Sequence, residues 1–192
     1  MELQVLEYSL AESESIELEA AERVLFRIDD QEASYGTGAI TLRGPAHLLS
    51  FELVPDAASE AKLSAPVTLD PGADRLIRLD RVSFPPGGVA YLHVHQGPGI
   101  RVLLTGEIRV DTDGRSQSYG PLEAWFEPGP VPVFAAASET DPTAFVRCML
   151  LPAELKGKSS IRYVRDEDAA KPKSQEYKVF VDEALDGAAV GT

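Results

Sequence analysis

The sequence predicts an all-β protein, a sandwich or barrel of short strands, and three observations carry that prediction. β-branched and aromatic runs recur along the chain between clusters of Gly, Pro, Asp and Ser. Helical periodicity is nearly absent, and an Asp113-Gly114 pair marks a tight hairpin, because both residues tolerate the positive φ angles of such a turn. With 192 residues and 44% hydrophobic side chains, the chain can build one substantial domain or two small ones.

In chain order the strand candidates begin with "RVLFRID", "AITLRG" and "HLLSFELV", followed by "DAASEAKLSA", an acidic, Ala-rich connector near residues 56 to 65. "RLIRLDRVSF", "VAYLHVH", "IRVLLTGEIRV", "AWFEPG" and "TAFVRCMLL" then form a denser β-rich block, with the Asp113-Gly114 hairpin in "VDTDGRSQSY". Pro172 forbids a long helix in the polar tail, which offers one more strand, "YKVFVDE", before a loose terminus, "ALDGAAVGT". Residues 1–75 are expected to pack on or extend the second half, since about 75 residues bury only a modest core alone. "YKVFVDE" is expected to return and complete that N-terminal sheet.

Charge and cysteine usage narrow the function classes. The formal charge is -13, with thirteen of the thirty-one acidic side chains but only three of the eighteen basic ones in residues 1–60. Such a surface repels phosphate backbones and anionic headgroups, so neither nucleic acid nor a membrane is an expected partner. The single cysteine, Cys148, excludes an intramolecular disulfide and reads as a packing thiol. No stretch approaches the roughly 18 apolar residues of a membrane span, and "MELQVLEYSLAESESIELEA" lacks signal-peptide character, so a soluble cytoplasmic protein is expected.

Chemistry concentrates in "GGVAYLHVHQGPGIRVLLTGEIRV", which holds His93 and His95. Strand alternation places Tyr91, His93 and His95 on one face, the two imidazoles about 7 Å apart at the backbone and able to converge on one cation. The spacing permits a metal without demanding one. His47, in "GPAHLLSF", has no partner nearby in sequence and reads as a turn residue.

A wider pattern surrounds the pair: Gly87, five residues, His93, Val94, His95, three residues, Gly99, six residues, Gly106. It resembles the first motif of the cupin superfamily, G-x5-H-x-H-x3 or x4-E-x6-G, except that Gly99 stands where the glutamate belongs. The second motif, G-x5-P-x-G-x2-H-x3-N, is echoed by Gly120 and "PLEAWFEPGPVP" with Gly129 in the turn, and Pro132 replaces its histidine. The likeness extends over most of residues 80–183 and is to small bacterial cupin-domain proteins without an assigned reaction.

That resemblance implies a cupin-type double-stranded β-helix, a jelly-roll barrel, over residues 76–152. Additional N-terminal strands over 1–75 are extra sheet or a degenerate second cupin half, and a tail over 153–192 contributes one returning strand. It also implies a homodimer, and a divalent transition metal, Fe, Zn, Ni or Mn, held by three histidines and a glutamate. Only two of those four positions survive here, so a third ligand is needed or the site holds no metal. Glu123, Trp125 and Glu127 alternate onto one face, which makes Glu127, and after it Glu123, the candidate completing ligand; Gln96 is a poorer donor for such metals.

Arg101 shares the inward parity of position 99, where it needs a counter-charge from Glu123, Glu127 or a ligand carboxylate; with Glu127 it is a candidate catalytic residue. Arg147 is a second candidate anion anchor or half of a structural ion pair. Tyr91, Trp125 and Phe134 are candidates for an aromatic wall against a flat small molecule, or simply core. Three readings follow: a metal-dependent oxygenase or isomerase acting on a small organic substrate, anionic or neutral; a metal-free small-ligand-binding module; and a structural or oligomerising barrel.

Overall fold

Alternating apolar residues become paired strands throughout the computed structural model, which describes residues 1–70 and 72–185. The N-terminal part contains β1 (Glu2–Leu10), β2 (Ser15–Leu18), β3 (Glu22–Arg27), β4 (Glu32–Gly36), β5 (Ile40–Arg43), β6 (Ala46–Val54) and β7 (Leu63–Pro66). Five of these form one antiparallel sheet in the order β4-β3-β6-β1-β7, and β2 pairs with β5 as a separate ribbon. His47 belongs to β6 and not to a turn, and its Nε2 lies 2.8 Å from Glu7 Oε1 on neighbouring β1.

The second part contains β8 (Arg75–Phe84), β9 (Val89–His95), β10 (Gly99–Thr105), β11 (Ile108–Thr112), β12 (Arg115–Tyr119), β13 (Ala124–Glu127), β14 (Val133–Ala137) and β15 (Thr143–Pro152). A 3-10 turn (Ala153–Leu155), β16 (Ile161–Tyr163), the short helix α1 (Asp166–Ala169) and β17 (Glu176–Ala184) follow. The strand orders are β13-β10-β15-β8-β17 and β12-β11-β14-β9-β16, which distribute β8 to β15 over two facing sheets as a double Greek key. This is a jelly roll. The β11–β12 hairpin closes through Asp113 (φ 49°) and Gly114 (φ 69°), the primed turn expected of that dipeptide.

Both faces of the β8–β15–β10 sheet are buried. Ile77, Leu79, Ile100, Val102, Val146, Cys148 and Leu150 pack outward against Leu3, Val24, Phe26, Leu49 and Phe51 of the N-terminal sheet, in one continuous apolar core. On the other side Val82, Phe84, Leu103 and Phe145 meet Ala90, Ile108, Val133 and Ala135 of the facing sheet. The molecule is therefore three β-layers with a shared middle sheet. That explains why "TAFVRCMLL" is apolar at nearly every position.

The C-terminal strand departs from expectation. β17 pairs with β8 and becomes the edge of the middle sheet, instead of completing the N-terminal one, because Val181 inserts beside Leu79 in the shared core. The expected loose terminus falls mostly on residues 186–192, outside the described residues. No helix among the described residues is long and apolar enough to cross a membrane.

Candidate functional site

Inside the jelly roll, β9 and β16 of one sheet face β10, β13, β15 and β8 of the other across a cavity of about 20 Å³. That volume holds roughly one water molecule. His93, His95, Arg101, Trp125, Glu127 and Arg147 all line it. Each is 6% exposed or less.

The two imidazoles converge, with Nε2 of His93 3.1 Å from Nε2 of His95 and the rings edge to face. His93 Nδ1 lies 2.7 Å from the Tyr91 carbonyl oxygen, an acceptor only, so Nδ1 carries the proton and Nε2 is left as a lone pair. His95 must then donate from Nε2, which leaves its Nδ1 an acceptor, buried and without a partner. Burial lowers the pKa of both rings; for His95, held well below the usual histidine value, the positive charges of Arg101 and Arg147 add to the effect. Both imidazoles are neutral at pH 7.

Arg101 is among the largest fully buried side chains. Its Nη2 lies 2.8 Å from Glu127 Oε2, and its Nη1 donates to the Gly99 carbonyl at 2.5 Å. The Nη2–Oε2 pair is close but not aligned as a hydrogen bond, so both atoms retain hydrogen-bonding capacity. Burial pushes the guanidinium down to about 10, opposed by the Glu127 charge, and it stays cationic. The other Glu127 oxygen accepts from Trp125 Nε1 at 2.9 Å. Arg147 is held by Asp80 through Nε at 2.6 Å and Nη2 at 3.1 Å; burial alone would lower its pKa, and Asp80 reverses that.

Three sequence candidates are not brought here. The β9–β14 register places Val133 opposite His93 but Ala135 opposite Ala90, a bulge of one extra residue on β9. The bulge resets strand parity. Ala90 lines the cavity in place of Tyr91, whose ring instead meets Lys171 Nζ at 4.5 Å. Phe134 alternates outward between Val133 and Ala135 onto the opposite surface, with Leu92. Glu123 precedes β13, is exposed, and its Oε2 accepts from the Gly120 amide at 2.6 Å. The aromatic wall is thus reduced to Trp125, packed against Phe145 and Tyr119.

Asp80, Ile161 and Tyr177 were not identified from the sequence. Asp80 sits in the alternating "RLIRLDRVSF", but its partner becomes evident only from the β8–β15 register, which sets it opposite Arg147. Ile161 and Tyr177 reach the cavity because β16 and β17 extend the two sheets on the same side.

The donor set argues against a resident divalent cation. Two neutral imidazoles converge as metal ligands would, and His93 has the carbonyl-pinned Nδ1 typical of one. Glu127 Oε2 lies 3.5 Å from His95 Nε2, yet its charge is paired with the Arg101 guanidinium and its other oxygen accepts from the Trp125 indole. Among the described residues no group of three or more His, Cys, Asp or Glu is placed to hold a metal. A glutamate at position 99 is also sterically barred, since a Cβ there would lie 2.6 Å from the Cys148 carbonyl oxygen and 3.1 Å from Arg101 Nη1.

No protein-family model matches the chain, and no curated protein matches it. Solved structures similar to it include a cupin 2 conserved barrel domain protein from Leptotrichia buccalis, at 18% identity and TM-score 0.44, covering 75% of this chain and 81% of that one. The polyketide cyclase RemF from Streptomyces resistomycificus is 24% identical with TM-score 0.39 over 49% of this chain and 63% of that one, just under two thirds of its length. The DMSP lyase DddQ from Ruegeria pomeroyi DSS-3 is 21% identical with TM-score 0.38, covering 45% and 43%.

Proposed function

We propose that this chain is a metal-free small-molecule-binding barrel of the cupin type. His93, His95, Arg101 and Glu127 form its receptor for one small polar group. The observation that carries the reading is the commitment of Glu127, the carboxylate beside the imidazoles, to Arg101 and Trp125. The cluster supplies hydrogen bonds of both senses: an acceptor at His95 Nδ1, donor capacity at Arg101 Nη2 and acceptor capacity at Glu127 Oε2. A water molecule that accepts from Nη2 and donates to both acceptors satisfies all three, and a hydroxyl satisfies the donor and one acceptor, whereas a whole organic molecule does not fit the 20 Å³ interior.

Convergence of the two Nε2 atoms favours a second reading, the metal-dependent enzyme. Elemental analysis of protein purified without an affinity tag, beside a His93→Ala/His95→Ala double variant, separates the two. The metal-free reading expects Fe, Zn, Ni and Mn far below one per chain in both proteins. A full equivalent in the parent that disappears in the variant overturns the metal-free reading and favours the metal-dependent one.

A further inference from the structure

The jelly roll is open on one side, where β16 and β17 form corresponding edges of the two sheets. A second cavity of about 330 Å³ lies there, lined by Arg78, Asp80, Arg147, Lys158, Tyr177 and Val179 among others. It shares Arg147 and Tyr177 with the histidine cavity, so these two side chains are the wall between opening and interior. Its volume is at the small end of the range for sites that bind organic ligands.

From these features we infer that the β16–β17 opening is the entrance to the barrel and a binding site for a small organic carboxylate with a short apolar body. The inference deepens the proposed function and rests on it for the interior contact. Three observations support the ligand class. First, Arg78, Arg147 and Lys158 outnumber Asp80 and Asp182 by one positive charge at this opening, in a chain carrying -13. A cationic mouth on an anionic protein concentrates anions locally.

Second, the donors differ in availability. Arg78 has four of its five N–H groups committed to Asp182 and to the Leu155 and Lys158 carbonyls. Arg147 uses Nε and Nη2 on Asp80, which leaves Nη1 without an acceptor among the described residues, and exposed Lys158 has no ion-pair partner among them. Nη1 and the Lys158 ammonium are the groups a carboxylate would meet. Third, Tyr177 and Val179, 43% and 52% exposed, are two of the four large hydrophobic residues left in solvent among the described residues. An apolar body beside the carboxylate covers them.

Benzoate, with benzamide as its uncharged counterpart, tests this on the 15N-labelled 192-residue chain by NMR. Benzoate is expected to shift the Lys158 and Ser159 amides, and benzamide at equal concentration to leave them in place. Lys158→Glu, at an exposed position, is expected to weaken benzoate about fivefold; Val179→Trp, which fills the opening from an exposed position, is expected to abolish the shifts. Equal responses to benzoate and benzamide, no response to benzoate, or indifference to both substitutions overturn the inference. Benzoate that shifts the Trp125 indole N–H but not the amides of residues 157–160 also overturns it, while leaving the interior receptor standing.

Discussion

A guanidinium at 1% exposure is tolerable only because its charge is answered inside the barrel, and Arg101 depends on Glu127 for that answer. Arg101→Met, which strands the carboxylate, is expected to cost about 3–5 kcal/mol in urea unfolding, whereas the Arg101→Met/Glu127→Met pair should cost far less. The histidines make a pH prediction with a definite sign. Their folded pKa values lie below the unfolded value, so the unfolded chain binds more protons and stability rises with pH. Their contribution is full above about pH 6.5 and declines as pH falls below it, so the urea midpoint should drop less steeply in a His93→Asn/His95→Gln variant. At this scale the sequence was informative where chemistry is local. His-x-His spacing and the missing glutamate were readable; the Asp80–Arg147 pair, sixty-seven residues apart, was not, because only strand register joins them.

Elements decide which of those residues meet. Alternation placed His93, His95, Trp125 and Glu127 together, and failed for Tyr91 because one extra residue in β9 turns it off the interior face. Nothing in "VAYLHVH" marks that bulge, since its Gly-rich flank also fits an unbulged strand. The β10 start shows why position 99 takes glycine: close approach of the β15 backbone leaves no space for a side chain there. Gly99→Ala is therefore expected to lower thermal stability by about 1–3 kcal/mol, measured by calorimetry, with Gly99→Glu worse and unable to create a metal site. The Asp113-Gly114 hairpin was readable from two residues because its turn chemistry is local.

For the whole molecule, the middle sheet is the organising feature. Its two-sided apolar pattern is visible in "TAFVRCMLL", and residues 1–75 were the expected cover, but which of their strands lie on the outer side was not readable, because several apolar strands there could have supplied it. β17 was misassigned for the same reason. Burying a Leu, Ile or Phe contributes about 1.5–3 kcal/mol, and the N-terminal sheet covers Ile77, Leu79, Ile100, Val102, Val146 and Leu150 together. A fragment beginning at Arg75 is expected to bind the dye ANS and to lose cooperative unfolding, whereas the full chain does neither.

The proposed reading is that the barrel interior closes on two neutral imidazoles and an arginine–glutamate pair, with no metal ion among them. Nitrogen-15 NMR of the histidine side chains tests it most directly, on chelator-treated protein taken from about pH 8 to pH 5 and then given one equivalent of Zn2+. This reading predicts a His93 ring protonated at Nδ1, both rings titrating below the ordinary histidine pKa, and Nε2 resonances indifferent to zinc. Titration of either ring near the ordinary histidine pKa, or a stoichiometric zinc-induced shift of both Nε2 signals, would contradict it.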